Sequence, residues 1–114
     1  MNRIDLENRL IDFAVLIIKI SGILPKTRAG NTLANQIVRS GTSPALNYGE
    51  AQSAESKKDF AHKLKIILKE LRETLICLKI IKKAQLLKEN DLLDHGMREN
   101  NELISIFVSS LNTV

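Results

Sequence analysis

Arg39 to Ala51 reads RSGTSPALNYGEA, a stretch whose composition says loop and whose spacing says helix. Gly41, Pro44 and Gly49 are residues that punctuate or break helices. Yet Leu33, Ile37, Gly41, Pro44, Tyr48 and Ala51 recur at steps of four, four, three, four and three, the period of one helical face. Beside that face Gln36, Arg39, Ser43, Asn47 and Glu50 follow at steps of three, four, four and three, which lines them up along the same helix. The spacing predicts a helix from about Asn31 to Ser53. Pro44 removes one backbone bond to Ser40 and should kink or restart it there, with Thr42 or Ser43 as the cap of the restart. Gly41, Ser43, Ala45 and Gly49 leave its surface thin, so a neighbouring backbone can come close. The ordered polar row is either a binding or active site, or a polar seam between packed helices.

Outward from this stretch the pattern is helical throughout. Leu6, Leu10, Phe13, Ile17, Ile20 and Leu24 carry a first helix over roughly Asp5 to Leu24, ended by Pro25 and Gly30. Ile11, Val15 and Ile18 add a second apolar strip, more than one inward face of a small bundle needs, which implies a second partner surface. Ser56 followed by Asp59 resembles a capping box and opens a third helix that runs through Lys83 without Gly or Pro. At 1.5 Å per residue that rod is roughly 40 Å long. Phe60, Leu64, Ile67, Leu71, Leu75 and Leu78 form its inward stripe. Asn90 or Asp91 caps a fourth segment in which Leu93, Met97, Ile104, Phe107 and Leu111 recur with Asn100 in the same row, a polar residue of the kind that fixes register in an apolar seam. Four helices joined by short turns predict one domain over residues 1–114, an all-α, up-down-up-down four-helix bundle with its second helix kinked near Pro44.

Composition agrees with one helical core. Three Phe, one Tyr and no Trp in 114 residues leave the core to Leu, Ile, Val and Ala. A lone Cys77 excludes an intrachain disulfide and fits a reducing, cytoplasmic compartment. The N-terminal MNRIDLENRL alternates charge with apolar residues, unlike a signal peptide. The apolar run Phe13 to Ile18 is far short of the ~20 residues of a membrane span. A formal net charge of +4 permits an acidic partner without demanding one.

Candidate chemistry is sparse. Glu50 as a base and Arg39 as an anion clamp would need a nucleophile or metal, and neither His62 nor His95 has the spacing to join them. A polar seam is the simpler reading, because a buried polar group left unpaired costs roughly 1 to 3 kcal/mol. The two histidines stand 33 positions apart. Asp91 and His95 have a metal-pair spacing that more often makes a local ion pair or cap, and Cys77 has no His at helical spacing. No phosphate-binding glycine loop or serine elbow is present. We therefore expect no catalytic residue, no metal, no cofactor and no enzyme. The third helix carries the stronger signal: Lys58, His62, Lys65, Lys69, Arg72, Lys79 and Lys83 occupy one stripe, interrupted only by Ile76, with Glu70 and Glu73 on its flank. Like charges at such steps repel unless screened or neutralised, and a polyanion would neutralise them by counterion release with little base readout.

Arg39 to Thr74, RSGTSPALNYGEAQSAESKKDFAHKLKIILKELRET, closely resembles the four helix bundle proteins also called 23S rRNA-intervening-sequence proteins. The SGTS, NYxEA and KELxET elements carry the likeness, which covers Ser40, Gly41, Thr42, Ser43, Asn47, Tyr48, Glu50 and Ala51 and extends in pattern over nearly the whole chain. The resemblance implies a small bacterial bundle, a structural motif without a catalytic role, and, from related accessory proteins of diversity-generating retroelements, a pentamer with basic surfaces that contacts a reverse transcriptase and binds nucleic acid. Two departures remove potential nucleic-acid contacts: Gly49 stands where relatives often carry a larger, basic residue, and Leu75 to Leu78 replaces an often aromatic stretch. The expectation is a non-enzymatic homo-oligomer that binds RNA or DNA through the third-helix stripe. The alternative is a structural adaptor that grips a protein such as a reverse transcriptase without touching nucleic acid.

Overall fold

Each helix begins at a residue whose side chain replaces a backbone partner that the first turn lacks. In the computed structural model, which describes residues 1–114, Asn2 accepts from the Asp5 N–H and starts α1, Arg3–Ile23. Thr27 accepts from the Gly30 N–H and starts α2, Arg28–Ala51. Ser56 accepts from the Asp59 N–H and starts α3, Lys57–Lys83. Asn90 accepts from the Leu92 and Leu93 N–H groups and starts α4, Asp91–Asn112. The Ser56 and Asn90 caps are where the sequence pattern places them. α2 begins earlier than the predicted Asn31, because Thr27 caps it and Gly30 lies inside its first turn.

α2 does not restart at Pro44. The helix is one element from Arg28 to Ala51 with Pro44 buried inside it. Proline deletes a single donor, and the remaining ladder continues on either side. Thr42 and Ser43 are correspondingly not caps: Thr42 Oγ1 donates to the Val38 carbonyl at 2.6 Å, and Ser43 Oγ accepts from Asn47 Nδ2 at 2.9 Å.

The helices form a four-membered ring in cross-section. α1 packs on α2 and α4, α3 packs on the same two helices, and α1 lies diagonally opposite α3 as α2 does α4. The result is a rod of 44 × 22 × 20 Å. Its axis is filled by side chains with no exposure, among them Leu10, Ile17, Ile37, Leu71, Leu78, Leu103 and Phe107. Tyr48 stacks edge to face on Phe107, ring centroids 5.9 Å apart. Gly41 brings α2 close to α1: a Cβ there would stand 2.7 Å from Ile17 Cγ2. The α1–α4 seam is the loosest of the four. It is clamped by Arg9, which donates to both Glu99 oxygens at 2.7 Å and also to Glu102. Hydrogen bonding from Arg9 holds the Glu99 carboxyl below its usual range, against the opposing effect of its burial.

Candidate nucleic-acid interface

The RSGTS and KELRET segments meet across the α2–α3 seam. Arg39 donates to Glu70 at 3.2 Å and to Glu73, while the Thr74 hydroxyl bonds the Ser40 hydroxyl at 2.8 Å and the Glu70 carbonyl at 2.8 Å. Ser40 and Thr74 have no exposure at all. Three turns further along, Lys63 donates to Glu50 at 3.2 Å. Of the polar row, then, Arg39 and Glu50 reach across to α3. Ser43 and Asn47 bond each other within α2, and Gln36 is exposed and makes no side-chain hydrogen bond. Asn100 is fully buried on α4. In the orientation its neighbours dictate, its amide donates to the Leu71 carbonyl at 2.9 Å and accepts from the Leu75 N–H at 3.1 Å, which pins the α3–α4 register.

Arg39 and Glu50 do not share a cavity. They are eleven residues apart on one helix, roughly 16 Å. Glu50 lines an open depression of about 460 Å³ at the α2–α3 turn, with Glu55, Asp59, His62 and Lys63 as its other ionisable residues. No three His, Cys, Asp or Glu side chains converge as a metal-ion site would require. Burial pushes the Cys77 thiol above its ordinary value, so it is held as the unreactive thiol.

The outward face of α3 is built differently. Lys58, His62, Lys65, Lys69, Arg72, Lys79 and Lys83 are all exposed, and none of the seven takes part in an ion pair. Of the three α3 lysines off this stripe, Lys63 and Lys82 pair with Glu50 and Asp94, and Lys57 at the first turn is unpaired. Glu70 and Glu73, which by sequence flank the stripe and could neutralise it, are instead turned toward α2 by Arg39. Ile76 and Ile80 are exposed toward the C-terminal end of the same face. Thr74, Lys63, Arg9, Glu99 and Glu102 went unremarked as structural residues in the sequence. Thr74 alone carried a signal, as the last residue of KELRET.

Fold and site together define a small all-helical bundle whose most recognisable residues clasp two helices, and whose third helix carries a row of unpaired cations on its outward face. The chain belongs to the 23S rRNA-intervening sequence protein family, whose model matches residues 3–108. It is similar to a crystal structure of a protein of unknown function from the S23 ribosomal protein family of Bacteroides thetaiotaomicron. The two share 28% sequence identity and a TM-score of 0.87 over 98% of this chain and 99% of the other. No curated protein matches the chain. No helix is long and apolar enough to cross a membrane.

Proposed function

We propose that this protein is a non-enzymatic, cytoplasmic, self-associating accessory protein that binds RNA or DNA along the α3 stripe. One observation carries the reading: six exposed cations share a helix face with His62, while Glu70 and Glu73 on its flank are occupied by Arg39. A row of like charges without counterions is locally unfavourable, and a phosphate backbone relieves it by releasing condensed ions. The family's name, which refers to an rRNA intervening sequence, is consistent with an RNA partner. With no aromatic residue on the stripe, binding draws on phosphates and is indifferent to base sequence. Self-association would use the apolar strip Ile11, Val15 and Ile18, each close to half exposed on α1; the family resemblance makes a pentamer the expected size. Reversing Lys65, Lys69 and Arg72 to Glu should abolish binding in a low-salt mobility-shift assay, and undiminished binding would reduce the stripe to a solvated face.

A second reading has its own observation. Ile76 and Ile80, 55% and 47% exposed beside Lys79 and Lys83, suit an apolar anchor of a protein partner, such as a reverse transcriptase, better than they suit phosphate. A partner that is captured after nuclease treatment and lost in Ile76→Ser would favour this adaptor role.

A further inference from the structure

The formal net charge of +4 is not spread evenly over the rod. One end is built from the α1–α2 and α3–α4 turns: a Cβ on Gly96 of α4 would stand 2.8 Å from Ile20 of α1 and 3.8 Å from Leu78 of α3, and Lys82 of α3 pairs with Asp94 of α4. With about one helical turn on either side, these two segments are residues 19–31 and 79–94. They hold seven cations and three carboxylates, a net +4 equal to that of the whole chain. The opposite end, residues 1–7, 47–61 and 108–114, holds three cations and five carboxylates. The charge therefore sits at one pole of a rod 44 Å long. Two of the pole's carboxylates have local roles. Asp94 is taken by Lys82 at 2.9 Å, and Asp91 stands in the first turn of α4, where the helix dipole stabilises negative charge. That leaves Glu89 as the one free carboxylate among Lys19, Lys26, Arg28, Lys79, Lys83 and Lys88, all exposed and none in an ion pair.

Arg28 links this pole to the α3 stripe. α2 is the one helix with no acidic residue in its first turn, and Arg28, its first residue, sets a positive charge against the helix dipole. The helix gains nothing from that charge. Ser40 and Thr74 mark one level of the α2–α3 seam. Arg28 lies twelve residues from Ser40 and Lys83 nine from Thr74, about 18 and 14 Å along antiparallel helices, so both stand at the same end. We infer that the nucleic-acid surface turns at Lys79 and Lys83 onto the end of the bundle, where Lys26, Arg28 and Lys88 bind the sugar-phosphate backbone. This rests on the binding proposed above and enlarges its footprint from one helix to both turns. The end face is 20 to 22 Å across, room for about six phosphates of a strand spaced at 3.4 Å as in a duplex. Continuity with the stripe favours nucleic acid over an acidic protein, because a flexible backbone tracks successive cations without a shaped pocket. The charge asymmetry along the rod also brings this pole to a polyanion first.

The test compares two variants of equal charge change. Arg28→Glu/Lys88→Glu alters the pole and Arg3→Glu/Lys57→Glu the opposite end, and each takes the net charge from +4 to zero. All four sites are exposed. Arg3, Arg28 and Lys57 open their helices, where glutamate suits the dipole, so both variants keep the fold, as circular dichroism melts will check. Binding of single-stranded RNA is followed by fluorescence anisotropy across a salt series. The pole variant is expected to bind roughly tenfold more weakly at low salt, with a slope of log affinity against log salt shallower by about 1.4, two phosphates at about 0.7 each, while the opposite-end variant stays within about twofold of the parent. Equal losses in the two variants, or no loss in the pole variant, overturn the inference; the stripe reading then stands if Lys65→Glu/Lys69→Glu/Arg72→Glu still fails to bind. Polyglutamate that displaces the RNA at equal charge concentration overturns nucleic acid as the occupant in favour of an acidic protein. A parent that binds no RNA overturns the underlying reading as well.

Discussion

The clasp between Ser40 and Thr74 predicts an asymmetric double-mutant cycle. Both residues are fully buried, and the Thr74 hydroxyl has two partners at 2.8 Å, the Ser40 hydroxyl and the carbonyl of Glu70 one turn back. Ser40→Ala leaves Thr74 its bond to Glu70, so one neutral hydrogen bond is lost, worth about 0.5 to 1.5 kcal/mol net. The better helix propensity of alanine offsets about half of that. Thr74→Val keeps the shape but strands the Ser40 hydroxyl in an apolar setting, which costs about 1 to 3 kcal/mol. In the double variant no hydroxyl is stranded. The expected losses are about 0.5 kcal/mol for Ser40→Ala, about 2 for Thr74→Val and about 1.5 for both, a coupling of about 1 kcal/mol between residues 34 positions apart in sequence. Urea denaturation followed by circular dichroism reads these directly, provided the slope is unchanged. Losses that add to within about 0.4 kcal/mol, or a Ser40→Ala loss larger than that of Thr74→Val, would refute the pairing.

Three further outcomes follow from individual contacts. Gly41→Ala should destabilise by about 1 kcal/mol despite alanine's helix preference, because its Cβ would lie 2.7 Å from Ile17 Cγ2, whereas Gly22→Ala, with nothing within 4 Å, should stabilise by up to about 1 kcal/mol; thermal melts give both signs. Arg39→Ala should change stability by less than about 1 kcal/mol, since its side chain is 56% exposed, but it frees Glu70 and Glu73 beside the stripe and should weaken nucleic-acid binding measurably in fluorescence anisotropy. Glu99 has a folded pKa held below its ordinary 4.5 by the Arg9 hydrogen bond, so its stabilising contribution is complete above that value and is lost as pH falls through the lower folded value. Melting temperatures recorded from pH 6 down to pH 2 should fall less steeply in Glu99→Gln than in the parent, and identical slopes would show that the clamp is not coupled to folding.

How much was legible beforehand depended on whether a residue's role is set locally or by its neighbours in space. α3 was readable from end to end because Ser56 and Asp59 form a local cap and its apolar spacing is unbroken. α2 was misread at its start because Thr27, an ordinary-looking residue after a proline, does the capping. Pro44 looked like a breaker because its missing N–H is a local fact, while the packing that carries the helix through it is not. The polar row was visible as a row, but which of its members cross to α3 depends on the side from which α3 packs. Arg39 and Glu50 find acidic and basic partners on α3, and Gln36, in the same row, finds none. Thr74 is visible only as the end of KELRET: a threonine inside a helix carries no distinctive spacing, and its partner Ser40 lies on another helix. The exposure of the basic stripe was legible, whereas the diversion of Glu70 and Glu73 to Arg39 was not.

The most direct test of the proposed function is the salt dependence of binding to single-stranded RNA. Each phosphate neutralised on a single strand contributes about −0.7 to the slope of log affinity against log salt, so engagement of four to six of the stripe's cations predicts a slope of about −3 to −4. Lys65→Glu/Lys69→Glu/Arg72→Glu should show no measurable binding at a salt concentration where the parent is saturated. A parent slope near zero, or a triple variant with the parent's affinity and slope, would contradict binding through α3.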